Sequence, residues 1–393
     1  MSLNSVFQYA VIGGSNLATD LNFEAEVTTM LHVNRLSVKL FSAAAITLLY
    51  GAVGWSDDQI VTLATVANPG KISPDEPLAT KSSAEQAARY LDTASLYWQK
   101  SRKCVTCHTN LGYLIARPAL ATALKDSGEV RQFFEEHVEK RWAKAPPSPV
   151  QSVVVAVGLT FNDLQTTGKL DVTTRKALDL MWTLQRDDGG WNWPMCGWPP
   201  MEVDEHYGVT LAALAVGLAP DKYEETEAAQ RGLVKIRAFL ARNPSKSLHH
   251  RAMVAWASLR IDGLNDADER NKTLRDLLSR QLPDGGWSTA ALFADWDEFV
   301  RKDGKPHDTK TSDAYATGFA IVVARELGRS ISDPQLKKGI VWILENQRSS
   351  GKWFTRSPTV DNYHYLSNYG SAFAVLALQA CDRLPGWPMA TAE

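Results

Sequence analysis

The chain contains 393 residues, of which 45% are hydrophobic and 22% are charged, and its formal net charge at pH 7 is -2. A chain of this length and apolar content can bury a substantial core. Its 42 basic and 44 acidic residues nearly cancel, so the composition argues against a nucleic-acid partner.

The N-terminal region has the pattern of a targeting segment. Residues 30–39 include the basic side chains Arg35 and Lys39, residues 40–50 are apolar, and residues 52–54 are small. This order is typical of a secretory signal peptide, so we predict export to the periplasm or another extracytoplasmic space. The apolar run is short for a bilayer span; an uncleaved anchor is the alternative, and contact with a membrane surface stays open. The predicted divisions are an upstream extension (1–29), a signal peptide (30–54), a linker (55–83) and one folded domain (84–393).

Twelve helical segments follow, and they alternate between two kinds. Outer segments start near Ala84, Val130, Thr173, Glu227, Ala267 and Asp333. Each is followed by a more apolar partner rich in Ala and Gly, near residues 109–124, 150–159, 207–218, 249–259, 313–327 and 369–378. Small residues allow the close helix contacts that an inner ring requires. Six successive hairpins therefore predict an all-α fold, an α/α toroid of the α6/α6 barrel type, with an open superhelix as the alternative.

A short phrase recurs where three of the outer segments end. It runs from Gln185 to Trp191, from Gln281 to Trp287 and from Gln347 to Trp353. Its glycines tolerate the left-handed backbone that ends a helix. We predict that the Trp folds back as an apolar wedge with one N–H to satisfy, and that the Gln amide pairs with exposed backbone groups. The recurrence indicates repeated supersecondary units.

This phrase, with upstream residues such as Gly339 and Trp342 before Gln347, resembles the QW repeat of the squalene cyclase and protein prenyltransferase superfamily. The resemblance covers residues 84–381. It implies a terpenoid-cyclase-like toroid that binds or acts on an apolar isoprenoid in its central cavity. The activity it implies is that of a class II terpene cyclase, an isomerase or lyase. The chain has room for one toroid, whereas those cyclases usually have a second helical domain.

Every loop from an outer helix to its inner partner opens on the same rim of such a ring. The N-termini of the inner helices point their positive dipole ends there. The unusual residues of these loops are Cys104, Cys107, His108, Cys196, Trp198, Glu202, Asp204, Glu205, His206, His249, His250, Asp308, Asp313, Tyr363 and His364. The predicted substrate contacts are Trp198, His206, Tyr315, Tyr363 and His364.

The sequence from Cys104 to His108 matches the attachment pattern of a c-type haem. In that pattern two thiols, here Cys104 and Cys107, form thioethers, and the His binds iron as the metal ligand. Export supports the assignment, because this attachment takes place outside the cytoplasm. A structural disulfide and a zinc half-site are the alternatives. Candidates for the distal iron ligand are Met195, Met201, Met253, His206 and His249.

The acid motif Glu202-Val-Asp204-Glu205 directly precedes the third inner segment. It resembles the Asp-x-Asp-Asp motif of class II terpene cyclases, with Glu for two of the carboxylates. By the resemblance, Asp204 is the acid that protonates an alkene or epoxide. Clustered carboxylates raise one another's pKa, which keeps one of them protonated. The alternative is an acidic helix N-cap.

Two other kinds of toroid protein, the prenyltransferases and sugar-acting toroids, are the remaining alternatives. The resemblance to prenyltransferases implies zinc at the mouth, for which the candidate ligands are Cys196, Asp204, His206, Asp313 and His364, although their spacing matches no zinc signature. Paired carboxylates such as Asp204 and Asp313 would suit a sugar-acting toroid, with Asp313 as a further catalytic candidate. The leading prediction is the isoprenoid toroid. The alternative is a non-catalytic toroid that carries a c-type haem for electron transfer or redox sensing and meets a redox partner.

Overall fold

The structure is a computed structural model that describes residues 60–295, 300–361 and 363–384. The predicted upstream extension and signal peptide lie outside these residues. Within the described ranges, no helix is both long and apolar enough to cross a bilayer.

The described chain alternates between outer and inner helices. The outer helices are α1 (Ala84–Arg102), α3 (Glu129–Glu136), α5 (Val172–Thr183), α7 (Glu227–Arg242), α9 (Ala267–Ser279) and α12 (Pro334–Glu345). The inner helices are α2 (Asn110–Ala116), α4 (Pro149–Thr166), α6 (Glu205–Leu218), α8 (Leu248–Ala257), α11 (Ala314–Glu326) and α13 (His364–Ala380). One short helix, α10 (Thr289–Leu292), lies between α9 and α11. This order confirms the predicted α/α toroid of six hairpins.

The local sequence explains why the two layers differ. The outer helix α9 begins at a capping box, in which Asp266 Oδ1 accepts from Glu269 N at 2.8 Å and Glu269 Oε2 accepts from Asp266 N at 2.9 Å. It buries one face, through residues such as Leu274 and Leu277. In contrast, the inner helix α6 is buried on all sides over residues 206–216. The helices that are apolar all round therefore form the inner ring.

The ring closes where the sixth hairpin meets the first. Helix α13 passes so close to α2 that a Cβ on Gly112 would lie 3.1 Å from Tyr369 Cδ2 and 3.3 Å from Ala372 Cβ. Gln347 Nε2 donates to Ser83 O at 3.0 Å, and Ser83 N donates to Gln347 Oε1 at 2.6 Å. Because the first and last hairpins pack directly on each other, the fold is a closed ring and not an open superhelix.

The three Gln-to-Trp corners share one geometry. Each Trp Nε1 donates to the carbonyl ten residues upstream: Trp191 to Met181 at 3.1 Å, Trp287 to Leu277 at 2.8 Å and Trp353 to Ile343 at 2.7 Å. Each Gln Nε2 donates to a Gly carbonyl four residues later: Gln185 to Gly189 at 3.1 Å, Gln281 to Gly285 at 2.8 Å and Gln347 to Gly351 at 2.9 Å. The same Nε2 atoms also donate to the next hairpin, at the carbonyls of Gly232, Gln335 and Ser83. Each corner thus joins two hairpins.

Residues 60–83 lie against the ring, although the sequence places them in a linker. Val61 and Val66 are buried. Leu63 N donates to the Glu129 carboxylate at 2.9 Å. Residues 60–83 therefore pack as part of the folded unit.

Candidate functional site at the mouth of the ring

Aromatic side chains fill the centre of the ring. Tyr207 of α6 and Tyr369 of α13 belong to the third and sixth hairpins, which stand opposite each other in a ring of six. Their hydroxyl oxygens are nevertheless 3.4 Å apart. His249 Nε2 lies 2.7 Å from Tyr315 OH, which joins the fourth hairpin to the fifth. All four side chains are buried. At this level, side chains occupy the space in which the sequence predicts an isoprenoid cavity.

The loop between α5 and α6 lies over the mouth of the ring. We define residues 192–204 as the mouth loop. On the side of the sixth hairpin, the Trp198 ring stacks on Tyr365 with 5.5 Å between centroids. On the side of the fourth hairpin, Pro200 O lies 3.5 Å from His250 Nε2. The mouth loop therefore spans the rim, from the adjacent fourth hairpin to the opposite sixth hairpin.

The two motif cysteines lie at this rim, and both are free thiols. Cys107 Sγ is 3.6 Å from Glu202 Oε1 and 3.9 Å from Met201 Sδ of the mouth loop. The first and third hairpins therefore reach the same rim, as the ring geometry predicts. Burial raises the pKa of Cys104 and of Cys107, so both thiols are protonated at neutral pH.

His108 is held by a chain of hydrogen bonds. Its Nδ1 lies 2.7 Å from Thr109 Oγ1, which also accepts from Asn368 Nδ2 at 3.0 Å. Asn368 Oδ1 in turn accepts from Tyr90 OH at 2.7 Å. Burial, with a smaller effect of His364, holds the pKa of His108 well below its ordinary value, so the ring is neutral. When Nδ1–H donates to Thr109, Nε2 keeps its lone pair for a ligand.

A groove of about 660 Å³ lies beside His108. Its wall includes Trp98 and His364, whose rings lie 5.0 Å and 5.3 Å from the ring of His108. Lys71 and Arg102 also line the groove, and neither forms an ion pair with a carboxylate of the described residues. Two cations without carboxylate partners favour a ligand with an anionic edge.

The three carboxylates of the acid motif have different partners. Glu202 faces the first hairpin, and Glu205 forms two bonds of 2.5 Å with Arg186. Asp204 is the N-cap of α6, and its Oδ2 lies 3.6 Å from His250 Nδ1. Burial is the largest cause of the raised pKa of Asp204. Mutual raising of the pKa by the clustered carboxylates stays a prediction.

Neutral histidines form the wall beside Asp204. The rings of His206 and His250 stack with 5.2 Å between centroids, and His249 lies 5.4 Å from His250. Burial lowers the pKa of His206 to about 3 and that of His250 to about 4, and it holds that of His249 well below its ordinary value. His206 Nε2 lies 2.8 Å from Ser245 Oγ. These rings are polar but uncharged at neutral pH.

The sulfur candidates for a distal iron ligand lie in different places. Met195 is 63% exposed. Met201 contacts Cys107, and Met253 is buried in α8. The imidazole that lies against His108 is instead that of His364, which the sequence assigns to substrate binding. Its pKa is lowered by burial.

The proposed zinc ligands do not assemble. Within the described ranges, no three His, Cys, Asp or Glu side chains are arranged for a metal ion. Cys196 is exposed. Asp313 is the buried N-cap of α11, where it accepts from Thr289 Oγ1 at 2.7 Å and Ala316 N at 3.0 Å. Burial raises the pKa of Asp313 to about 6. Tyr363 lies at the mouth, 5.9 Å from the ring of Trp198.

Sequence reasoning passed over the residues that orient His108. Thr109 and Asn368 were not singled out, because each is a common polar residue when considered alone. A signal for Asn368 exists, since an amide side chain stands out in an inner helix made mostly of apolar and small residues. Its partner Tyr90 lies 278 positions away, and only the closed ring brings them together.

No protein-family model and no curated sequence matches the chain. Among solved structures, the chain is similar to a polysaccharide lyase at 12% identity, with a TM-score of 0.48 over 76% of this chain and 97% of that one. It is similar to a glycosyl hydrolase of family 88 from Bacteroides vulgatus at 11% identity, with a TM-score of 0.45 over 77% and 99%. It is also similar to the type II terpene cyclase MstE from Scytonema at 12% identity, with a TM-score of 0.42 over 76% and 98%. The activities in these names belong to those enzymes.

Proposed function

We propose that this protein is a toroid that carries a covalent c-type haem on its first hairpin and works in electron transfer or redox sensing. The setting of His108 carries the proposal. Its ring is neutral, its Nδ1 is 2.7 Å from Thr109 Oγ1, and it contacts the wall of the groove of about 660 Å³. An iron-ligating histidine needs this protonation state and this outer hydrogen bond.

The residues of the chain fit the needs of such a group. Cys104 and Cys107 are free to form thioethers, and His108 would be the axial ligand. His364, whose imidazole lies 5.3 Å from that of His108, would be the candidate for a second iron ligand. Lys71 and Arg102 would pair with the propionates. When bound, a haem supplies one-electron transfer.

The test is to express the exported chain in a host that attaches c-type haem. We expect a Soret band and a haem stain that survives denaturing electrophoresis. Cys107→Ala should weaken the stain, because one of the two thioether bonds is lost, and the double variant with Cys104→Ala should be colourless, because no thioether can form. Cys196→Ala is the matched control, since this exposed thiol lies outside the motif, and it should keep the stain. Colourless wild-type protein from a competent host would refute the proposal.

A separate variant tests His364 as an iron ligand. In His364→Ala the thioethers remain possible, so the covalent stain should persist while the absorption spectrum shifts. An unchanged spectrum would exclude His364 as an iron ligand without affecting the covalent attachment. His206→Ala is the control, because His206 is bonded to Ser245 and should leave the spectrum unchanged.

A second function is favoured by the setting of Asp204. Its side chain is about one-fifth exposed, burial raises its pKa, and the neutral His250 ring lies 3.6 Å away. A carboxylic acid at the mouth can protonate an alkene or epoxide when it is in its protonated form, and a raised pKa favours that form. The isoprenoid would lie at the mouth, because aromatic side chains fill the ring centre at the level of Tyr207.

Incubation with squalene or a shorter polyene, followed by mass spectrometry of the products, tests this acid. Asp204→Asn should eliminate any cyclised product, because an amide cannot donate the required proton. Glu205→Gln should retain it, since Glu205 is paired with Arg186. Turnover that persists in Asp204→Asn would exclude the acid assignment.

A further inference from the structure

A second cavity lies between the fifth and sixth hairpins. Its volume is about 300 Å³. Its wall includes Arg348, Phe354 and Arg356 from the sixth hairpin, and Asp284 and Asp308 from the fifth. None of these side chains has a part in the haem proposal or in the acid proposal.

Arg348 is a cation of this wall without a carboxylate partner in the described part of the chain. Its Nη1 donates to the backbone carbonyl of Glu76 at 2.7 Å, and its Nε is buried with no hydrogen-bond partner. The carboxylate of Glu76 is paired with Lys352. The guanidinium lies 5.8 Å from the centroid of the Phe354 ring. Arg356 differs, because its Nε lies 3.6 Å from Asp308 Oδ2 and its Nη1 lies 2.6 Å from Asp361 Oδ2. A buried N–H group without an acceptor is unfavourable, so Arg348 Nε needs an acceptor that the described part of the chain does not supply.

The carboxylates of the wall, in contrast, already have donors. Asp284 Oδ1 accepts from Ser312 Oγ at 2.6 Å, and its Oδ2 accepts from Trp342 Nε1 at 3.1 Å. Asp308 Oδ1 accepts from the backbone N of Thr311 at 3.0 Å. The group of the cavity wall that lacks a hydrogen-bond partner is therefore a donor. The same two carboxylates would repel a ligand that carries several negative charges.

We propose that this cavity binds a small hydroxylated molecule with one carboxylate or phosphate group. The anionic group pairs with Arg348, because a guanidinium matches the geometry of both anions. Its oxygens supply an acceptor for the buried Nε–H of Arg348. The ligand hydroxyls donate to the remaining lone pairs of Asp308, and Phe354 covers one face. The volume is at the low end for small-molecule sites, which suits a single sugar-sized ligand.

Isothermal titration calorimetry on the purified full chain tests the proposal with three probes. Glucose 6-phosphate and gluconate carry the two anionic groups on a hydroxylated body, and glucose has none. We expect one or both anions to bind at millimolar concentration or below, and glucose to bind at least about tenfold more weakly. The preferred anion identifies the ligand class as a phosphate or a carboxylate. No binding of either anion, or equal binding of glucose, would overturn the proposal.

Arg348→Met should weaken binding of the preferred anion by about tenfold or more, because a charged hydrogen-bonding partner is removed. The matched control is Arg237→Met. Arg237 is also half-buried and donates to one backbone carbonyl, that of Asp262 at 2.6 Å, but it lies on α7 and should leave binding unchanged. If Arg348→Met does not fold, Arg348→Lys replaces it in the test, since lysine keeps the positive charge but lacks the planar guanidinium group. Wild-type affinity in either folded variant of Arg348 would overturn the role of this residue.

Discussion

The corners of the ring and its mouth are built in opposite ways. The corners at Trp191, Trp287 and Trp353 repeat the same bonds, between residues four and ten positions apart. At the mouth, in contrast, contacts join distant residues, as between Cys107 and Glu202 over 95 positions. The corners use indoles and amides, which do not titrate at ordinary pH. Thiols, carboxylates and imidazoles lie at the mouth.

This difference predicts that the corners determine the stability of the ring and that the mouth determines its chemistry. A corner joins two hairpins through the backbone, so a change there should affect the whole ring and leave no specific trace at the mouth. A change at the mouth should affect a ligand or a titration more than it affects the free energy of unfolding. The predictions below test that separation.

The largest effect is expected at the corner tryptophans. Trp→Ala at 191, 287 or 353 should each lower the free energy of unfolding by roughly 3–5 kcal/mol, because a buried indole and its N–H bond are lost. Trp198→Ala at the mouth should cost clearly less, since that ring is half-buried and its Nε1 has no partner. Chemical denaturation measures both. Near-neutral stability at all three corners would contradict the corner assignment.

A smaller effect is expected for the corner glutamines, and it should depend on position. Gln347→Ala removes bonds to Gly351 and two bonds to Ser83 at the seam between the last and first hairpins. We expect a loss of about 1–3 kcal/mol. Gln185→Ala removes only the bonds to Gly189 and Gly232, so its melting temperature should fall less. An equal loss in the two variants would show that the seam is no different from an internal corner.

At neutral pH the smallest effect is expected at the mouth histidines, whose contribution to stability changes when the solution is acidified. Burial lowers the pKa of His206 to about 3, whereas an unfolded histidine has a pKa of about 6.5. Between these values the unfolded state binds more protons, so acidification destabilises the fold by up to about 1.4 kcal/mol per pH unit for each such ring. Denaturation at several pH values should show stability falling below about pH 6.5. His206→Gln should reduce that slope by about one proton, whereas the corner variants should not alter it.

Much of the fold could be predicted from local pattern. The six outer and six inner segments lie close to their predicted positions. The spacing of apolar residues along the sequence distinguishes an amphipathic helix from a wholly apolar one. The helix α10 was not predicted, since a four-residue turn has too short a pattern. The packing of residues 60–83 was also not predicted, because a segment without helical periodicity gives no signal of what it will contact.

The sequence by itself determined the helices, the corners and the placement of the reactive residues in loops that share one rim. The tertiary structure alone decided which of those residues meet. It separated Glu205 from Asp204, placed His364 against His108, and closed the ring centre with Tyr207 and Tyr369. The physical reason is the distance along the chain over which each kind of interaction acts. Helix periodicity and capping act over a few residues, whereas partners at the mouth are set by ring closure between segments that are far apart in the chain.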